Sequence, residues 1–120
     1  MDNVVKIAKA LSDVNRLRIL NALHKNGELC ACQISKLLEI SSPSVSRHMD
    51  LLKSAGFISA RKDKKWVFYT LSKNIEDGGE LEKIFSWVLS QLTSSKQIKE
   101  DDEKLESIVS YLPIEFCKKL

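Results

Sequence analysis

The sequence predicts a mainly α-helical chain with a β-hairpin wing, a winged helix-turn-helix with helices added at its ends. Three observations predict it. Apolar stripes at helical spacing fill the first half of the chain, and the last two of them are separated by the tight turn Ile40-Ser41. Ser42-Pro43 then opens a helix with a small, polar, basic outer side. Two runs rich in β-branched and aromatic residues follow that helix, with Lys62-Asp63-Lys64-Lys65 between them.

Each element has its own signal. Val4, Val5, Ile7, Ala8 and Leu11 mark a first helix of about ten residues. Asp13 is expected to cap the second helix, because its carboxylate can accept from the amides that a helix start leaves unpaired. Leu17, Ile19, Leu20, Ala22 and Leu23 form the inner side of that helix, and Asn26-Gly27 ends it, with His24 and Lys25 meeting the negative end of the helix dipole. His24 is therefore read as a capping or surface residue. Ile34, Leu37 and Leu38 give a third, short helix. In the fourth, opened by Ser42, the side chains of Val45, Met49 and Leu52 face inward, while Ser44, Arg47, His48 and Asp50 are expected to face out. Ala55-Gly56 stops it.

The strands are read as Phe57–Arg61 and Trp66–Leu71; two strands are marginal in water, so the hairpin has to pack on the helices. After Asp77-Gly78-Gly79, Leu81, Ile84, Phe85, Val88, Leu89 and Leu92 form a broad apolar stripe flanked by Trp87, suited to a core or to a dimer surface. Thr93 to Glu103 reads as a solvated helix or linker, and Leu105, Ile108, Val109 and Leu112 restore a stripe before Pro113. The organisation expected is a winged-helix and dimerisation domain over 1–92 and a C-terminal helical extension over 93–120 that carries Cys117.

A chain of 120 residues buries about two-thirds of its unfolded surface, enough for a core without covalent staples. It has no run of about 18 apolar residues and no basic-then-apolar N-terminus, so a cytoplasmic protein is expected. Charge is uneven. Residues 47–65 carry six Lys/Arg against Asp50 and Asp63, a local +4, whereas residues 74–120 carry six against ten acidic residues, a local −4. A basic middle with an acidic tail fits a localised polyanion-binding face; the plainer alternative is a solvated charged surface. Three cysteines in such a chain are buried small hydrophobes, redox thiols or metal ligands.

Cys30 and Cys32 stand immediately before the helix-turn-helix and offer a two-sulfur bite suited to soft ions. In a regular helix, residues two apart point about 200° from each other. Closing both sulfurs on one ion is therefore expected to distort the helix entrance, which would tie ion binding to the DNA reader.

Leu11-Ser12-Asp13-Val14-Asn15-Arg16-Leu17-Arg18-Ile19-Leu20, Gly27-Glu28-Leu29-Cys30-Ala31-Cys32, Ser44-Val45-Ser46-Arg47-His48-Met49-Asp50-Leu51-Leu52, Ala55-Gly56-Phe57-Ile58 and Trp66-Val67-Phe68-Tyr69 together resemble the ArsR (SmtB/ArsR) family of metal- and metalloid-responsive repressors. The resemblance covers roughly residues 4–92. It implies a homodimer built on the first and fifth helices that leaves its operator when inducer binds. The Cys-x-Cys pair is similar to the site where arsenic-sensing members hold As(III) or Sb(III). No cysteine precedes Asp13, which counts against the cadmium/lead type, and residues 80–92 hold no histidine for a zinc or nickel site. Where arsenic-type members often carry a third cysteine this chain has Ser35; Cys117, folding back within a subunit or reaching across a dimer, is the candidate to complete a metal set of Cys30, Cys32 and Cys117, and the alternative is that it is an incidental thiol. Val14 stands where the family usually has proline.

For operator DNA, the expected contacts are Ser42, Ser44, Ser46, Arg47 and His48 on the reading helix, with Arg47 aimed at a guanine edge or a phosphate. Lys62, Lys64 and Lys65 at the hairpin tip should meet backbone or minor groove. A dimer would address inverted half-sites about 34 Å apart. Three alternatives stay open: a repressor switched by thiol oxidation with no ion, a thiol-disulfide enzyme, and a winged-helix module that binds protein. The enzyme reading lacks a Cys-x-x-Cys, a βαβ pattern and a glycine-rich cofactor loop.

Overall fold

The computed structural model describes residues 1–112. Its helices are α1 (Asp2–Leu11), α2 (Val14–Asn26), α3 (Ala31–Leu38), α4 (Ser42–Ser54), α5 (Glu80–Leu92) and α6 (Lys96–Tyr111), and its strands are β1 (Glu28–Cys30), β2 (Ile58–Asp63) and β3 (Trp66–Leu71). A short 3₁₀ turn, Lys73–Ile75, leads from the sheet towards α5. This is the expected winged helix, with one strand more than the hairpin.

That extra strand is three residues long. The sheet order is β1-β3-β2, all antiparallel, with Cys30 opposite Phe68 and Phe68 opposite Arg61. β1 was not anticipated, because Glu28-Leu29-Cys30 is too short to show an alternation of its own. Its consequence is large: the residues that carry the thiols belong to the wing as much as to the helices.

The helix starts follow the local chemistry. The carboxylate of Asp13 accepts from the amides of Asn15 (2.8 Å) and Arg16 (3.3 Å), as expected of a cap. Gly27 ends α2 at φ 88°, a backbone state that only glycine adopts without strain. The cap of α4 is Ser41 rather than Ser42: its Oγ accepts from the Ser44 amide at 3.3 Å, so Ser42 is the first helical residue and Pro43 the second. Glu39 closes α3 in the left-handed region (φ 57°), and the Ser35 hydroxyl donates to the Ile40 carbonyl at 2.5 Å, stitching α3 to the turn.

One core joins helices and wing. Ile19, Leu20, Leu23, Ile34, Leu37, Val45, Met49, Leu52 and Phe57 are buried in it together with Leu29 of β1. Leu105 and Ile108 of α6 lie in the same core, so the segment expected to be linker or solvated helix runs as one helix from Lys96 and packs on α2 and α3. Polar ties reinforce that docking. Asp101, only 2 % exposed, takes a two-pronged bond from Arg18 (Nε to Oδ2 2.8 Å; second nitrogen to Oδ1 2.9 Å) and a third from Gln97. The hydrogen bond to Asp101 raises the Arg18 guanidinium pKa above its ordinary value despite partial burial. Asn21 donates to Asp102, and Lys104 donates to the Leu37 carbonyl at the end of α3.

Candidate functional site

Cys30 and Cys32 sit on the two sides of a strand-to-helix junction. Cys30 is the last residue of β1 and the N-cap of α3, in extended conformation (φ −84°, ψ 161°), whereas Cys32 lies inside the first turn. Their Cα atoms are 5.4 Å apart and the sulfurs are joined as a disulfide. The sulfurs thus converge with α3 regular. The expectation that closure must distort the helix assumed two helical residues; Cys30 lies outside the helix, so its side chain can turn towards Cys32 while the ladder of α3 begins normally.

The two thiol positions have different surroundings. Cys30 is 1 % exposed and packs with Phe68 in a small cluster completed by Cys32, Trp66 and Leu112. Cys32 is half-buried and borders a cleft of about 360 Å³ that also touches Ser35, Lys36, Glu39, Ser42 and Lys104. A solute entering there meets Cys32 first, next to the start of the reading helix.

Gln33 joins this junction to the C-terminal helix. It is 1 % exposed; its Oε1 accepts from the Cys30 amide (3.0 Å) and its Nε2 donates to the Leu112 carbonyl (2.8 Å). The spacing Cys30-x-x-Gln33 is that of a capping box with cysteine in the place of serine, a signal present in the sequence and not used there. Cys117 lies outside the described residues, so its place relative to the pair is not defined by the structure. Among the described residues, no group of three His, Cys, Asp or Glu is arranged to hold a metal ion.

The reading helix shows a polar outer face. Ser42, Ser46 and Arg47 are exposed, and Ser44 is half-buried, bonded to Ser41 (3.0 Å) and receiving Arg47 (3.2 Å). His48 departs from its expected outward role. It is half-buried, and its Nδ1 lies 2.9 Å from the Arg16 guanidinium, which can only donate, so Nδ1 accepts and Nε2 carries the proton. Arg16, 8 % exposed, also donates to the carbonyls of Ala10 (3.0 Å) and Lys9 (2.7 Å). One side chain thereby fastens the end of α1 to the reading helix. In the sequence Arg16 figures only as part of the stretch that carries the family resemblance, with no role of its own.

At the wing, Lys62, Lys64 and Lys65 are exposed around a two-residue turn in which Lys64 has φ 57°. Behind them, Arg61 lies over the Phe68 ring (4.4 Å to its centre) and grips Glu28 with two bonds of 3.1 and 2.9 Å. Hydrogen bonding to Glu28 raises the Arg61 guanidinium above its ordinary value.

Comparison with known proteins bears on this arrangement. Residues 13–60 match the model of the bacterial regulatory protein, arsR family. The arsenical resistance operon repressor of Escherichia coli (strain K12) is 33 % identical over 113 residues, covering 94 % of this chain and 87 % of that protein. The chain belongs to the ArsR family. ArsR-family members are DNA-binding transcriptional repressors, and the winged helix described above is their DNA-binding fold. A cadmium resistance transcriptional regulatory protein, the CadC homolog of Staphylococcus aureus, is 42 % identical over 69 residues, which are 58 % of this chain and 57 % of that one. Among solved structures, reduced HlyU from Vibrio cholerae superposes with a TM-score of 0.59 at 32 % identity, over 78 % of this chain and 90 % of that one. The homodimeric winged helix-turn-helix DNA-binding domain Mb0332 from Mycobacterium bovis gives 0.60 at 25 % identity, over 78 % and 82 %. Relatives and structural neighbours alike are transcription regulators rather than enzymes, and no described helix of this ArsR-family chain is long and apolar enough to cross a membrane.

Proposed function

We propose that this chain is a homodimeric operator-binding repressor that releases DNA when Cys30 and Cys32, as dithiols, capture As(III) or Sb(III). The observation that carries the reading is the convergence of two soft sulfurs, with Cα atoms 5.4 Å apart, at the junction that opens the helix-turn-helix. The arsenical repressor relative supports the choice of ion. Each thiol displaces one hydroxide of As(OH)₃ as water, so two As–S bonds form, two As–O bonds break and two waters leave.

The third position on As(III) goes to Cys117. Leu112 packs in the cluster with Cys30, and the five residues from Leu112 to Cys117 can span up to about 17 Å, so the thiol of the same subunit has the reach. Ser35, spent on the Ile40 carbonyl, is a stitch between α3 and its turn rather than a ligand. On the DNA side, Ser42, Ser44, Ser46 and Arg47 meet the major groove, His48 acts through its bond to Arg16, and Lys62, Lys64 and Lys65 meet phosphates. The half-exposed or exposed Val4, Val5 and Trp87 on α1 and α5 suit burial in a dimer, the state named for the Mycobacterium relative.

One observation favours a second reading: the two sulfurs are joined, so formation and reduction of that bond is itself a two-electron switch. A single titration separates the two. Operator release is measured by fluorescence anisotropy with arsenite, antimonite, Cd(II), Zn(II) and peroxide, on the reduced protein and on Cys30→Ser/Cys32→Ser. Release by arsenite and antimonite that is lost in the double variant supports the ion reading; release by peroxide alone replaces it with the redox one. A Cys117→Ser variant with unchanged As(III) affinity and two thiols consumed per ion removes Cys117 from the site.

A further inference from the structure

A row of side chains crosses the whole sheet from the thiol junction to the wing. Cys30 on β1 is opposite Phe68 on β3, and Phe68 is opposite Arg61 on β2. Cys30 and Phe68 are each 1 % exposed and pack together, so the sulfur cannot move far without displacing the ring. On the other side of the ring lies the Arg61 guanidinium, 4.4 Å from its centre. Arg61 is also clamped by the carboxylate of Glu28, the residue two before Cys30 on the same strand. Both ends of β1 thus hold Arg61, one through Phe68 and one through an ion pair.

The tip begins at the next residue. Lys62, Lys64 and Lys65 follow Arg61 around the turn, and Trp66, which closes the turn, returns to the Cys30 cluster. The path from the sulfur as far as Lys62 is paired sheet, and Lys64 and Lys65 form the two-residue turn that joins β2 to β3.

We propose that the wing is a second output of the thiol pair, reached from Cys30 through Phe68 and the Arg61–Glu28 strap. It rests on the reading above for what loads the pair, though not for the coupling itself. A change in the distance or partners of the Cys30 sulfur shifts Phe68, re-aims Arg61 and withdraws the lysine tip from phosphate. α3, which stays regular with the sulfurs joined, carries less of the signal than its position before the reading helix suggests.

The experiment uses the full chain and two separate perturbations of the pair. Dithiothreitol opens the sulfur–sulfur bond by thiol exchange, leaving two cysteine thiols and its own cyclic disulfide; sodium arsenite is then added to the reduced protein. Amide NMR shifts are followed for Lys62, Lys64 and Lys65 and for Ile34 to Leu38. In the native chain the lysine amides should move in the reduction arm, and again with arsenite. In Arg61→Gln and, independently, Phe68→Leu, the lysine shifts should fall to half or less while those of α3 persist. Operator binding gives the second readout. Loading the native pair should reduce the slope of log K against log salt by about 0.9 for each lysine withdrawn, and Arg61→Gln should abolish that reduction. Lysine amides that stay fixed in both arms, or that respond at full size in both variants, overturn the coupling. If arsenite changes nothing in the reduced protein, the ion reading fails and the reduction arm alone still decides the wing.

Discussion

Asp101 shows how much a single buried carboxylate can organise. It lies on α6, 2 % exposed, and is neutralised by the two-pronged bond from Arg18 of α2. Removing one partner of a buried pair leaves a charge without compensation, which costs about 3–5 kcal/mol, whereas replacing both by apolar groups of similar volume is often close to neutral. Arg18→Met should therefore lower stability by about 3–5 kcal/mol, and adding Asp101→Leu should restore most of it. Urea denaturation of the two variants checks this, and equal losses in both would mean that the cost comes from the missing Arg18 contacts rather than from an uncompensated charge on Asp101. Neither residue carries a motif that marks it. Their partnership spans 83 positions, and a single sequence offers no periodicity that relates Arg18 to Asp101. Arg16 was hidden for the same reason: its hydrogen bonds run to main-chain carbonyls of α1 and to His48, and main-chain acceptors have no sequence signature.

Elements were readable in proportion to the locality of their physics. Asp13 caps its own helix, Val45, Met49 and Leu52 repeat every turn, and the aromatic run from Trp66 stands apart from the polar turn before it; each signal lies within a few residues of its effect. β1 failed that condition. Its three residues are a strand because β3 supplies the hydrogen bonds, and that non-local pairing is what moved Cys30 out of the helix and removed the steric argument against two converging sulfurs. The wing tip is basic in the sequence and exposed in the structure, which supports its proposed role in phosphate contact. Replacing Lys62, Lys64 and Lys65 together by glutamine should weaken operator binding and lower the salt slope by about 2.7, at about 0.9 for each phosphate contact. The comparison is a salt series with the native chain; an unchanged slope would show that the tip does not touch DNA. Arg47→Ala should behave differently, lowering affinity for the operator more than for random duplex if the guanidinium reads a base edge.

Among the described residues, the proposed sensing site and the DNA reader are neighbours in one packed unit: the Cys30–Phe68 cluster and the main core both pack against Leu112. The sulfurs lie at the joint of β1 and α3, Gln33 ties that joint to Leu112, and Leu29 between Glu28 and Cys30 is buried with Val45 and Met49 of the reading helix. An ion that shifts this joint cannot act on DNA without DNA acting on the ion, because both biases fall on the same packed contacts. Linkage makes the two effects equal: if As(III) weakens operator binding by a given factor, operator weakens As(III) binding by that factor, about 5- to 150-fold for couplings of about 1–3 kcal/mol. The measurement is a pair of arsenite titrations on the reduced protein, one alone and one with operator in saturating excess, read by thiol protection from a chromogenic disulfide. Random duplex at the same phosphate concentration controls for charge. The operator arm should need more arsenite for half protection by the same factor that arsenite imposes on operator affinity in the converse titration. Equal midpoints in both arms, beside a protein that still lets go of DNA on arsenite addition, would mean that release follows thiol loss and unfolding rather than a two-state coupling of the folded protein.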